Sequence, residues 1–305
     1  MPIIKKLFNV YLKSETSYND NKYSTISASD WIPVYSDTVS VGVESEKVWI
    51  PYDTTKPIIE AVPMETARTV KFSWEMPIRV WKSTVVMSSI DAILKAGLFT
   101  GPMPTLGVPE YLSVADSSGS FAVNIQSGTY EIVASGCRIT SAEFTGKPGE
   151  PLRLKIEGLG LFRSETFSAT ALSPSPIFTS LILTKASAVS GEFGSYFEEF
   201  SVKVEAERHL VKDLTSQYVI SQIVPTTLKI SGSVKGLSES IAAKYIGDAL
   251  TSTGITFTGN GNSNTLQFTF TAPKVSERKI GDVGNILYTD LDFVAAGLTL
   301  TFASN

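Results

Sequence analysis

Alternation of apolar and polar residues is what most restricts the fold of this chain. In Val70-Lys71-Phe72-Ser73-Trp74-Glu75-Met76, one side carries Val, Phe, Trp and Met, and the other carries Lys, Ser and Glu. A period of two is the period of a β-strand. The same pattern returns at Leu152–Glu157, Val202–Glu207, Leu228–Val234 and Leu266–Thr271. Strands of this kind belong to antiparallel sheets with one packed face and one wet face. Pro77, which has no N–H to donate, marks a strand end or an edge.

Helical spacing is scarce. Ser88–Gly97 places Ile90, Ile93 and Leu94 on one face, with Ser88 as a cap and Gly97 as a stop. Ser238–Leu250 has the same form, with Ile241, Tyr245 and Ala249 recurring at helical spacing. Each helix follows an alternating strand. Each also precedes a strand pair split by a Gly-rich turn, at GCRITSAEF/PLRLKIEGLG in the first half and TLQFTFTAPKV/ILYTDLDFVAAG in the second. The halves repeat a pattern with little residue identity. Ser164–Pro176, a Ser/Ala/Pro stretch without periodicity, separates them. The expected organisation is two β-rich domains, 1–166 and 167–305, each with one helix across a sheet.

Composition excludes much chemistry. With 26 basic and 30 acidic residues the chain carries −4, whereas a static nucleic-acid binder shows a basic excess. One cysteine, Cys137, cannot form an intrachain disulfide, and one histidine, His209, cannot make a multi-His metal site. The apolar run after Lys5 and Lys6 is too short for a secretory signal. No stretch reaches the ~18 apolar residues of a membrane span.

Catalytic motifs are missing too. There is no G-x-S-x-G elbow and no G-x-x-x-x-G-K-[ST] loop. Gly259–Asn264 lies between two strands and reads as a hairpin turn. Asp290 and Asp292 share a strand face at ~7 Å, but paired catalytic carboxylates normally come from different elements across a cleft. His209 ends a charged run as an exposed residue, Cys137 is a buried apolar one, and Trp74 belongs to a core. Trp31 and Trp49 sit in the aperiodic segment Asp20–Pro57, where aromatics anchor a segment to its own domain or to a neighbouring subunit. No catalytic, cofactor or metal residue is expected.

DAILKAGL followed by GCRITSAEFTGKPGEPLRLKIEGLG resembles the first domain of the tail tube proteins of long-tailed bacteriophages. FEEFSVKVEAERHLVKDL, TLKISGSVKG and QFTFTAPKV, in that order, resemble the family's second half. The likeness runs from about Val70 to Ala296; residues before Pro63 match nothing in it. It implies a mainly β protein of two tandem tail-tube-like β-sandwich or barrel domains, each flanked by one α-helix. It further implies rings stacked into a hollow tube for genome passage, and a homotrimer of pseudo-sixfold symmetry for a fused chain. The partners it implies are copies of the chain, other tail proteins and DNA in transit, in a virion tail made in the host cytoplasm. The family's inter-ring loop falls at about Glu207–Gln222, including Arg208, His209, Lys212, Asp213 and Gln217; Asp20–Pro57 is a second candidate.

A DNA channel must not hold its cargo, and a basic lumen would, through counterion release. Wet strand faces of mixed sign suit a lumen: Lys71, Ser73 and Glu75; Lys203, Glu205 and Glu207; Lys229, Ser231 and Ser233. The alternatives are a tail terminator or baseplate ring, a β-rich receptor-binding or adhesive tail protein, and a carbohydrate-active enzyme using Asp290 and Asp292.

Overall fold

Each of the five alternating runs lies in a strand of the computed structural model, apart from Leu152, which immediately precedes its strand. The structure describes residues 7–51, 61–81, 84–101, 110–115, 119–174, 180–190, 197–212, 220–236, 244–250, 254–259, 265–283 and 286–303. In chain order the elements are β1 (Asn9–Ser14), β2 (Trp31–Ile32), β3 (Ser40–Pro51), β4 (Ala61–Pro77), β5 (Arg79–Trp81), α1 (Thr84–Lys95), β6 (Phe99–Thr100), β7 (Glu110–Val114), β8 (Phe121–Ser127) and β9 (Tyr130–Gly146). They continue with β10 (Arg153–Thr166), β11 (Ser180–Ser190), β12 (Glu199–Lys212), β13 (Ile220–Gly236), β14 (Gly254–Gly259), β15 (Thr265–Thr271), β16 (Lys274–Val283), β17 (Ile286–Ala295) and β18 (Gly297–Ala303). The protein is mainly β, and every strand pairing is antiparallel.

Two sheets hold the chain. The larger runs β3-β4-β10-β9-β12-β13-β17-β16, with β8, β1 and β2 branching from β9; the smaller runs β5-β11-β14-β15-β18-β7-β6. Aromatic rings lock them face to face. Phe144 of β9 and Phe200 of β12 meet Phe268 of β15 at 5.1 and 5.3 Å between centroids. Phe293 of β17 meets Phe270 at 4.9 Å. All five rings are buried, and these edge-to-face contacts add ~0.5–1.5 kcal/mol each beyond the apolar area they remove from water. A single hydrophobic cluster takes residues from both halves of the chain.

The strand order is itself repetitive. β3-β4-β10-β9 is followed by β12-β13-β17-β16, one four-strand arrangement met twice. Register irregularities repeat with it. β4 bulges at Thr66, opposite Glu46 and Lys47 of β3, and β13 at Thr226, opposite Glu207 and Arg208 of β12. On β9 the pairing skips Thr140 beside Gly158 of β10; on β16 it skips Ser276 beside Phe293 of β17. Phe72 pairs with Gly158 in the first arrangement, and Gly232 with Phe293 at the same place in the second. Ring and glycine have exchanged strands. A Cβ at Gly158 would stand 2.6 Å from Phe72 Cε2, and one at Gly232 2.8 Å from Phe293 Cε1.

Among the described residues α1 is the α-helix. It begins at Thr84 rather than at a Ser88 cap, and buries Ile90, Ile93 and Leu94. Gly97, at φ +99°, ends it. The second expected helix is corrected over its described part. Lys244–Leu250 is turn and bridge, with Gly247 at φ +90°. Its backbone is taken by β16: Gly247 N–H donates to Val275 O at 2.9 Å and Val275 N–H to Asp248 O at 3.0 Å. Two sheet-type bonds to β16 outweigh the helical spacing, and Tyr245 and Ile246 are left exposed. Residues 238–243 lie outside the described residues. The described part of Asp20–Pro57, up to Pro51, is ordered: short 3-10 turns at Asn21–Thr25 and Ala28–Asp30 lead into the strands β2 and β3. No described helix is long and apolar enough to cross a membrane.

Gly158→Ala and Gly232→Ala should each destabilise the fold by ~1–3 kcal/mol, the usual cost of forcing a methyl into a filled site. Urea unfolding midpoints measure this, and Gly149→Ala cannot serve as a neutral reference because its φ is +85°. Gly42→Ala, with open space around its Cβ, can.

Candidate functional site

The outer face of the larger sheet is the most extensive polar surface that the sequence predicted. All nine expected wet-face residues lie on it, opposite Val70, Phe72, Trp74, Met76, Val202, Val204, Ile230 and Val234, which are buried. Cross-strand registers assemble them into rows. One row reads Glu75–Lys155–Glu143–Lys203–Ser231, and the next Ser73–Glu157–Ser141–Glu205–Lys229. A third reads Glu199–Lys235–Asp290–Lys279, and a fourth Arg153–Thr145–Ser201–Ser233–Asp292–Glu277. Formal charges cancel in the first and third rows and leave one negative charge in the second and in the fourth.

Ion pairs knit the face: Lys203–Glu205 at 2.5 Å, Lys71–Glu44 at 2.8 Å, Lys235–Glu199 at 3.0 Å and Lys155–Glu157 at 3.1 Å. Their half-exposed side chains make each worth at most ~1 kcal/mol, so they neutralise the surface more than they stabilise it. Hydrogen bonding to Glu205 raises the Lys203 ammonium above its ordinary range, and Glu199 does the same for Lys235. Partial burial pushes the Asp292 carboxyl up, with Glu277 and Asp290 adding to it and Lys279 opposing. Asp290 and Asp292 therefore sit in a charge lattice with lysines, not across a cleft. Among the described residues no acidic or His/Cys group could hold a metal.

The expected inter-ring loop is corrected in conformation. β12 continues to Lys212 and β13 resumes at Ile220, so Arg208, His209 and Lys212 are strand residues; Asp213 and Gln217 lie outside the described residues. His209 is exposed. Arg208 is half-buried and staples three elements: its Nη2 donates to Ile139 O of β9 at 2.6 Å and to Gly97 O after α1 at 2.8 Å. The charged run of which it is part gave no sign of this.

The N-terminal segment anchors the same hairpin. Tyr18 Oη accepts the Ile223 N–H of β13 at 3.0 Å, and its ring lies under Arg138 at 5.0 Å. Burial pushes this phenol up to about 12, against the pull of Arg138. Beside it, Glu15 accepts from Ser120 Oγ at 2.5 Å and Gly136 N–H at 3.0 Å, and burial still raises its carboxyl. Cys137 is fully buried, and its thiol is pushed well up by desolvation. The stretch after β10 is strapped down: Gln126 bonds Thr170 O and Leu172 N–H at 2.9 Å each, and Tyr11 Oη donates to Leu172 O at 2.8 Å.

Among the described residues, β3 and β16 end the main path of the larger sheet with one side of each backbone unpaired by any strand. Exposed apolar side chains gather at the β16 edge: Tyr245 (70% exposed), Ile246 (72%) and Ile280 (55%). A polymerising sheet protein needs such edges. Against this geometry, a family model of phage tail tube proteins matches residues 60–301. The chain is a phage tail tube family member. No curated protein matches it. The family match spans both four-strand arrangements, apart from β3. The Tyr18 and Glu15 anchors lie before it, in chain that the resemblance did not reach either. The protein is thus a structural component of a viral tail.

Two outcomes check this description. Arg208→Met should cost ~1–3 kcal/mol, because two buried carbonyls lose their donor, and urea unfolding reads the loss. Asp292 binds its proton more tightly folded than unfolded, so its contribution to stability is present at low pH and lost as pH rises through its folded pKa. Asp292→Asn should therefore unfold at higher urea than the parent at pH 7, with the gap narrowing as pH falls through the raised folded pKa and closed below the unfolded value of about 3.9.

Proposed function

We propose that copies of this chain close into rings, that the rings stack into the tail tube, and that the charge-balanced face of the larger sheet lines the bore through which the genome leaves. The observation that carries this reading is the combination of two free edges on one antiparallel sheet with a wet face on which the four cross-strand rows above sum to zero or to one negative charge. Edges of this kind pair with copies, and a head-to-tail contact closes a ring when its rotation closes. A polyanion passes a neutral or acidic wall without the counterion release that would hold it.

The repeated strand order supports reading the chain as two tail-tube units, about 1–166 and 167–305, fused in tandem, with a homotrimeric, pseudo-hexameric ring as the natural closure. The segment of about Glu207–Gln222, with Arg208, His209, Lys212, Asp213 and Gln217, and the segment Asp20–Pro57 are the candidates for contact with the next ring. Other tail proteins meet the ends of the tube, the protein belongs to the virion after synthesis in the host, and no step of this role calls for catalysis.

Electron microscopy of the purified chain tests the reading. Tubes or stacked rings are expected. Single rings would favour a terminator or baseplate role, and a solitary monomer under assembly conditions would remove the proposal. Glu75→Lys with Glu205→Lys should leave tube assembly intact and slow DNA ejection; unchanged ejection from normal particles would count against the lumen assignment.

A further inference from the structure

The molecule already contains one junction between its two four-strand arrangements. β12 meets β9 over six pairs, from Phe200↔Gly146 to Glu205↔Ser141. The two free edges are the counterparts of these strands: β3 stands where β12 stands, and β16 where β9 stands. The bulges fix the correspondence residue by residue. Aligning Glu46/Lys47 with Glu207/Arg208 puts Ser40↔Ser73 on Ser201↔Ser233, and Val41↔Phe72 on Val202↔Gly232. Aligning Thr140 with Ser276 puts Ile139 on Val275, and therefore Phe144 on Ile280.

Backbone bonding agrees with that alignment. Ile139 N–H donates to Ala96 O at 2.9 Å, and Val275 N–H to Asp248 O at 3.0 Å. At this residue β9 and β16 are each covered by a segment that is not a strand, Ala96 beside β9 and Asp248 beside β16. Beyond it β9 is covered by β12, and β16 by none of the described strands. Direction agrees as well, since the eight strands from β3 to β16 alternate and leave the two end strands antiparallel when copies are set side by side.

Resting on the ring reading above, we infer that β16 of one copy pairs with β3 of the next in the register of the internal junction, so that Val41 faces Ile280, Gly42 faces Lys279 and Val43 faces Arg278. In the internal junction the position of Val41 and Ile280 is filled by Val202 and Phe144, both fully buried. This explains why Ile280, on the core-facing side of an edge strand, stands 55% exposed in a single chain. The partner is a second copy, because the missing strand must match an edge for which this chain supplies both the template and the counterpart.

Disulfide trapping tests the register. Val41→Cys with Ile280→Cys, oxidised in assembled particles, should give covalent multimers on a denaturing gel. The buried Cys137 is replaced by Ala throughout. Val41→Cys with Arg278→Cys is displaced by two residues, ~7–8 Å between Cα atoms, at the limit of disulfide reach, and should cross-link at least tenfold less. Equal or stronger cross-linking of the displaced pair, in particles that form normally, overturns the register and leaves the ring reading standing. Absence of rings and tubes from the unsubstituted chain overturns the ring reading itself. Ile280→Lys should keep the thermal melt of the monomer and lose assembly, and normal assembly of that variant would also overturn the inference.

Discussion

An antiparallel sheet has obligatory backbone donors and acceptors along both edges, and no amount of core packing removes them. This constraint governs the larger sheet. Its strands are long and regular, its inner face is sealed by interlocking phenylalanines, and its ends at β3 and β16 remain without a neighbouring strand. The short segment at Gly247–Ala249 closes off only the start of β16, leaving the stretch that holds Glu277–Gly281 open. Along the described main path of this sheet every strand between β3 and β16 has a partner on both sides, and a sheet that ends in two such strands is built to be continued.

The two faces divide the work. Apolar side chains on the inner face give cohesion between sheets, and their geometry is specific enough that glycines are required opposite Phe72 and Phe293. The outer face contributes little to stability, since its ion pairs are half-exposed. What it contributes is sign control. Lysines are needed beside the carboxylates to keep a strongly acidic wall from repelling itself, and carboxylates are needed to keep the lysines from holding phosphate. Alternation along the strand separates cohesion from charge. Alternation across the strands then balances the charge.

Much of this was legible in the sequence because it is local. The period-two runs gave strands, buried faces and wet faces for β4, β10, β12, β13 and β15, and Gly97 gave the helix end. The errors come from non-local partners. Ile241, Tyr245 and Ala249 have helical spacing, yet Val275 takes the backbone at Gly247 and Asp248. The resemblance implied a loop over about Glu207–Gln222, while pairing with Pro225 and Val224 keeps Arg208 and His209 in a strand. Val39, Val41 and Val43 alternate with Ser40 and Gly42 and could have been read as strand. The irregular chain around them hid the run. Which strands lie at the edges is a property of the pairing pattern and has no signature in any one segment.

Low identity between the halves has a physical account in the Phe72–Gly158 and Gly232–Phe293 pairs. The sheet needs one ring and one vacancy at that crossing, and either strand can supply the ring. Exchanging them alters both residues while conserving volume, backbone spacing and register. Bulges are harder to exchange, because moving one flips every later side chain to the other face. The bulges opposite Glu46/Lys47 and Glu207/Arg208, and those at Thr140 and Ser276, therefore keep their places while the side chains around them change. Register is the conserved quantity in such a repeat. A strand added from another copy would be held to the same positions by the same penalty, whatever residues it carries.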